Sequence, residues 1–195
     1  MNEAQRITEW VEQKKESAIA LARAVWGFAE PNWRETQSAA AISAALEAEG
    51  FALERRPCGM ETAFVATWGG EGPVIALLGE YDALPALSQQ AGRAEKAPLC
   101  EGAPGHGCGH NLHGSLSILT GLALKDLKDS YKGKLHVIGT PAEEENGAKI
   151  GMAAQGIFDN MSLAMMMHSW SGVSTVVGED FMFFFFQAED GIRDC

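Results

Sequence analysis

The chain has no apolar run long enough to cross a bilayer, and Met1 to Lys14, with Glu3, Arg6, Glu9 and Glu12, lacks the apolar centre of a secretion signal. These absences point to a cytoplasmic protein with no membrane partner. Positive charge is scarce, with 15 Lys and Arg against 26 Asp and Glu and a formal net charge of −11. A nucleic-acid groove or an anionic membrane surface is thereby disfavoured as a partner. Cysteine is sparse and shows no paired spacing, so Cys58, Cys100, Cys108 and Cys195 do not read as a disulfide framework. No second cysteine lies within a few residues of Cys108, which argues against a redox or structural-zinc module. Internal repeats and low-complexity linkers are also missing before the tail.

What is present is an ordinary globular composition: 46% hydrophobic and 21% charged residues exclude the disordered and collagenous classes. A chain of 195 residues holds one domain or an unfinished piece of a larger one. Its end is anomalous. Phe183 to Phe186 followed by QAEDGIRD (Gln187 to Asp194) fits no helix or strand period. The octapeptide resembles the in-frame translation of a sequencing-adapter oligonucleotide, and the Phe run a translated poly-T stretch. Residues 181–195 are therefore expected to be an adapter-derived tail, with natural sequence over 1–180. The alternative, a genuine aromatic edge strand, would be an exposed aggregation hazard.

Apolar residues at three- and four-residue steps predict an amphipathic helix from Glu3 to about Ala29, stopped by Pro31, and a second from Glu35 to Glu49 with Gly50 as C-cap. Strands are expected at Phe51 to Arg55, Thr62 to Trp68 and Pro73 to Glu80. The continuous run Val74 to Leu78 suits a strand buried on both faces. The loop from Asp82 to His106 is too long for a mere connection and is expected to be functional. A helix over Asn111 to Asp129, a strand over Lys134 to Gly139, a helix near Asn146 to Gln155 and a strand over Ser162 to His168 complete the pattern. Helices alternating with strands imply a three-layer α/β/α sandwich with a mixed, mostly parallel sheet and ligands outside the carboxyl ends of the strands.

The densest chemistry is Gly105-His106-Gly107-Cys108-Gly109-His110-Asn111-Leu112-His113, where glycines separate groups able to bind a borderline-soft metal such as zinc, manganese or cobalt. A helix start with buried histidines and a core cysteine would also produce this pattern. Thr140-Pro141-Ala142-Glu143-Glu144-Glu145 places adjacent carboxylates at a strand end, where they repel unless a cation neutralises them; a solvated helix start is the alternative. His168 ends another apolar strand, a place where an unremarkable histidine also occurs. Asp82, just past the most buried strand, either orients a metal-bound imidazole or caps the turn before Pro85. The shared direction of these strand ends favours one common site.

Taken together, GEYDALP, LSQQAG, GHGCGHNLHG, PAEE and MHS resemble the amidohydrolase branch of the aminoacylase and carboxypeptidase dinuclear metallopeptidase family, and within it the aminobenzoyl-glutamate-cleaving subgroup. The resemblance covers nearly all of Glu3 to Gly178 and implies a zinc-exopeptidase-like catalytic domain. It implies Cys108, His110, Glu144 and His168 as ligands of two divalent ions (zinc or manganese, with cobalt possible), Glu143 as general base, and Asp82 beneath the site. Glu80 stands where more distant relatives carry a ligating histidine and is not assigned as a ligand; Asn111 replaces an aspartate. The implied reaction is hydrolysis of an amide bond in N-acyl amino acids or small peptides, with p-aminobenzoyl-glutamate-type substrates leading, by a water bridging metals about 3.5–4 Å apart.

Family members continue into a lid or dimerisation domain, through which they form homo- or hetero-oligomers, and then return to supply one more histidine ligand. Neither is expected within these 195 residues, and His106 and His113 lie too close in sequence to the assigned ligands to replace that histidine. The 195-residue product is accordingly expected to bind metal weakly and to be inactive. A silent metal-binding fragment is thus the alternative to a working enzyme.

Overall fold

The computed structural model describes residues 3–127, 132–145 and 147–169, and the expectations for the tail lie outside them. The first amphipathic stretch forms α1 (Glu3–Phe28), followed by Ala29 in a left-handed conformation, φ 44°, and then Pro31. Helix α2 (Thr36–Ala48) buries Ile42 and Leu46, as their four-residue spacing dictates. Its free first-turn amides are satisfied by a distant acid rather than by a neighbouring cap. The Glu30 carboxylate accepts the N–H groups of Gln37 (2.9 Å) and Ser38 (2.8 Å). Gly50, at φ 85°, ends the helix as expected.

Three strands then follow without an intervening α-helix: β1 (Ala52–Arg55), β2 (Phe64–Gly69) and β3 (Val74–Gly79). Strict alternation of helices and strands therefore begins only after β3, with α3 (His110–Asp126), β4 (Lys134–Gly139), α4 (Ala148–Ala154) and β5 (Leu163–Met166). The five strands form one mixed sheet in the order β1-β2-β4-β3-β5. β2 runs antiparallel to β1 and β4, whereas β3 is parallel to both β4 and β5. The antiparallel side follows from the short β1–β2 connection, and the parallel side from the long crossovers carrying α3 and α4.

The sheet is covered on both faces. Val25 of α1, Ile42 and Leu46 of α2, and Ile118 and Leu122 of α3 pack on Phe64, Ala66, Leu77 and Val137. Met152 of α4 and Met161 pack on Val65, Ala76, Leu78 and Ile138. Alternate strand residues thus feed opposite layers, which is why Val74 to Leu78 reads as an unbroken apolar run. Each such large side chain, fully buried, contributes roughly 1.5–3 kcal/mol.

Register matters most for function. Gly79 of β3 lies opposite Gly139 of β4, and Leu78 lies opposite Met166 of β5. The segments that follow these three parallel strands therefore emerge side by side along one edge. Gly139 is required by packing: a Cβ there would lie 2.2 Å from the Phe64 ring. Gly139→Ala is expected to destabilise the protein by about 1–3 kcal/mol, read as a lower urea midpoint. An unchanged midpoint would show that the Phe64 ring swings aside freely.

Candidate metal centre

The loop after β3 is ordered and folds back on itself. Leu84 and Gly105 exchange both backbone hydrogen bonds at 3.0 Å, and Ser88 N–H and Gln90 N–H reach the carbonyls of Ala103 (2.9 Å) and Ala97 (2.8 Å). A side chain at Gly105 could not form this neck, because its Cβ would stand 2.1 Å from the Leu87 carbonyl oxygen. The closed neck delivers Cys108 and the start of α3 beside Asp82. Gly109, at φ 87°, turns the chain into that helix, and His110 is the first residue of α3 rather than the residue before it.

Asp82 and His110 are fully buried and joined by a 2.8 Å hydrogen bond from Nδ1 to Oδ1. A carboxylate only accepts, so Nδ1 carries a proton, and in the neutral ring Nε2 presents its lone pair. The second oxygen of Asp82 accepts the Glu144 backbone N–H at 3.0 Å. With its amide oriented to satisfy both ends, Asn32 donates to that same oxygen (2.8 Å) and accepts the Glu145 N–H (3.3 Å). His110 Nε2 and Glu144 Oε1 lie 3.8 Å apart, both buried and neither with a hydrogen-bond partner.

Cys108 is half-buried beside them. Its Sγ lies 3.3 Å from Nε2 of His168, which stands two residues past β5 instead of on the strand. His168 Nδ1 donates to the Ser169 carbonyl at 2.7 Å, leaving Nε2 directed at the sulfur. Glu143 Oε2 is 3.8 Å from His110 Nε2. All six residues expected at the site thus converge: Cys108, His110 and Glu144 offer ligand atoms within 4.8 Å of one another. Two orphaned buried polar atoms facing a thiol are the arrangement expected of a cation site.

The electrostatics agree. Burial, reinforced by Glu144, Glu143 and Glu80, pushes the Cys108 thiol up to about 12. Burial opposes a charge on His110, yet the Asp82 hydrogen bond and the charge of Glu80 outweigh it and raise its pKa. Burial and the nearby Glu80 charge also raise Glu143. Cys108, His110 and Glu143 therefore hold protons more tightly than in water, Cys108 and Glu143 chiefly through burial and His110 through its carboxylate neighbours.

Several residues at the site carried no assignment from sequence. Glu80 is buried beneath His110, its Oε2 3.3 Å from Nε2, and it also meets His113 Nδ1 (3.2 Å) and the Lys149 ammonium of α4. Burial works against its ionisation, but the His113 hydrogen bond and the Lys149 and His110 charges hold its pKa at about 2. The i, i+3 spacing of His110 and His113 was a usable signal, since it puts both rings on one helix face. Lys149 had none. Glu35, fully buried, accepts from Trp33 N–H (2.9 Å), Thr62 Oγ1 (2.9 Å) and Ala142 N–H (2.8 Å). It thereby fixes two non-glycine residues in the left-handed region, Trp33 (φ 62°) and Ala142 (φ 55°), the latter immediately before Glu143.

Known proteins resemble this chain over most of its length. Residues 76–185 match the model of peptidase family M20/M25/M40. The chain belongs to that family. It is 38% identical over 164 residues to one of the subunits of p-aminobenzoyl-glutamate hydrolase from Escherichia coli, covering 83% of this chain and 34% of that protein. It is 32% identical over 177 residues to the Xaa-Arg dipeptidase of Mus musculus, covering 84% of this chain and 37% of that protein. The chain thus spans about a third of the length of these curated relatives. Among solved structures, the YxeP protein of Bacillus subtilis, described as a dinuclear metal-binding peptidase of the M20 family, superposes with a TM-score of 0.70 at 27% identity. That match covers 82% of this chain and 44% of YxeP. Among the described residues Cys58, Cys100 and Cys108 are free thiols, and no helix is long and apolar enough to cross a membrane.

Asp82 joins the His110 ring to the Glu144 backbone. Asp82→Ala is expected to weaken zinc binding by roughly 10–100-fold, measured by competition with a chromogenic chelator. Unchanged affinity would mean that the ring is oriented by something else.

Proposed function

We propose that this segment forms the metal-binding half of an amidohydrolase site that cleaves N-acyl amino acids or small peptides, with p-aminobenzoyl-glutamate-type compounds as leading substrates. The observation that carries it is the pair of orphaned, buried atoms, His110 Nε2 and Glu144 Oε1, set against the Cys108 thiol. Cys108, His110, Glu144 and His168 are the residues that would hold two divalent ions, with zinc, manganese and cobalt all suited to such mixed sulfur, nitrogen and oxygen donors. When bound, such ions lower the pKa of water towards neutrality and polarise a carbonyl oxygen. The likeness to an aminobenzoyl-glutamate hydrolase supports the substrate class. That this relative is one subunit of its enzyme supports a partner chain for the whole protein.

The chain's own residues divide the remaining work. Glu143 reaches the same space as His110 Nε2 without being tied to Asp82, and more of its side chain is exposed than that of Glu144. Its raised pKa suits a group that takes a proton from water and returns it to the departing amine. Asp82 holds His110 in the tautomer whose Nε2 is free, and Glu35 holds the backbone that aims Glu143.

Two outcomes test this. Assayed in a full-length protein carrying this segment, Glu143→Gln is expected to lower amide hydrolysis by roughly 10²–10⁴-fold with metal content unchanged; comparable turnover would remove Glu143 from the role of base. Zinc binding must displace the Cys108 proton, because the thiol, with a pKa of about 12, is protonated throughout the neutral range. Apparent affinity should therefore rise with pH, by about tenfold per unit for that one proton, and Cys108→Ser should flatten the slope. A slope identical in the two proteins would show that the sulfur is not a ligand.

A further inference from the structure

His113 is fully buried, one turn along α3 from His110, and neither of its nitrogens is free. Its Nε2 faces the backbone N–H of Ser169 at 2.9 Å, a group that only donates, so Nε2 must accept. The ring proton then sits on Nδ1 and is donated to Glu80 Oε2 at 3.2 Å. Glu80 is in turn paired with Lys149, so the carboxylate that receives this proton is already neutralised by a built-in ammonium. Ser169 has its own second contact: its hydroxyl donates to the Cys108 carbonyl at 2.9 Å. Gly109 permits this approach, since a Cβ there would lie 2.3 Å from that hydroxyl oxygen.

Glu80, His110, His113 and His168 offer ligand atoms close enough for an ion of their own. The hydrogen bonds argue for a different use. Lys149 already occupies the cationic place beside Glu80, and the lone pair of His113 Nε2 is spent on Ser169. We infer that His113 is a positioning residue: with Ser169 it forms a clamp that fixes His168 against Cys108, and Glu80 and Lys149 lock the ring that makes the clamp. The need for one is plain from the fold. His168 stands exposed beyond the end of β5, and no strand pairing holds it. Its ring lies against that of His113, with centroids 4.3 Å apart, and its neighbour Ser169 supplies both anchoring bonds. This inference rests on the metal-binding role proposed above for Cys108 and His168.

Cobalt(II) titration of the chain tests it, because a thiolate ligand gives a sulfur-to-cobalt charge-transfer band that reports Cys108, while the d–d bands report the rest of the coordination. His113→Phe removes both hydrogen bonds. It is expected to keep the charge-transfer band at saturation, to alter the d–d bands, and to bind cobalt roughly 10–100-fold more weakly. His113→Gln, whose amide can donate towards Glu80 and accept from Ser169, should recover most of that affinity. Wild-type affinity and spectrum in a folded His113→Phe protein would overturn the clamp. So would a loss in His113→Gln as deep as in His113→Phe, which would make the ring itself a ligand. Two-bond ¹H–¹⁵N correlation spectra of the metal-free wild-type chain give a second measurement that needs no variant to fold. A proton on Nδ1 of His113 supports the clamp, and a proton on Nε2 overturns it. If the wild-type chain shows no charge-transfer band dependent on Cys108, the metal-binding proposal fails, and the tautomer then decides the clamp alone.

Discussion

The site depends on one carboxylate. Asp82 sits just beyond the most buried strand and gives one oxygen to the His110 ring and the other to the backbone N–H of Glu144. Two segments more than thirty residues apart in sequence are thereby held at a fixed separation, with a lone pair from each aimed at the same point. A buried carboxyl in this position is tolerable because its neighbours are donors, including the Asn32 amide on its second oxygen. What it cannot supply is positive charge. The surrounding acids, Glu80, Glu143 and Glu144, are answered within the described residues by Lys149 on Glu80. Burial first, and the neighbouring carboxylates after it, raise the proton affinities of Cys108 and Glu143.

Much of this was legible in sequence because the signals were periodic or dense. The apolar run Val74 to Leu78 identified a central strand, and Lys134 to Gly139 coincides with β4 residue for residue. The six site residues stood out because glycines crowd around Cys108 and His110 and because Glu143 and Glu144 abut a strand end. The structure brings all six together, and their chemical roles rest on the proposal above. Elements without such signals were read less well. α4 is only seven residues long, Ala148–Ala154, against an expected span of Asn146 to Gln155, and β5 ends at Met166, two residues short of His168.

The residues that escaped notice share a physical character: they act through hydrogen bonds between distant segments, which leave no local periodicity. Glu35 resembles an ordinary acid at a helix start, yet it is buried and ties the backbone of Trp33 to that of Ala142. Glu30 caps α2 from six residues before its first turn begins. Lys149 looks like a solvated helix lysine and instead reaches back to Glu80. Strain at Ala142 and Trp33 is sustained because Glu35 accepts from both, so the backbone before Glu143 is set by a side chain more than a hundred residues earlier.

The neck formed by Leu84 and Gly105 decouples what lies inside it from what lies outside. Once those two residues are paired, the distance from Asp82 to Cys108 no longer depends on the excursion between them, and doubling the length of that excursion costs only about 0.6 kcal/mol in closure entropy. Added length within Pro85 to Pro104 would therefore leave the cation-facing atoms at their spacing, provided Leu87 keeps its close packing on Gly105 and Gly107.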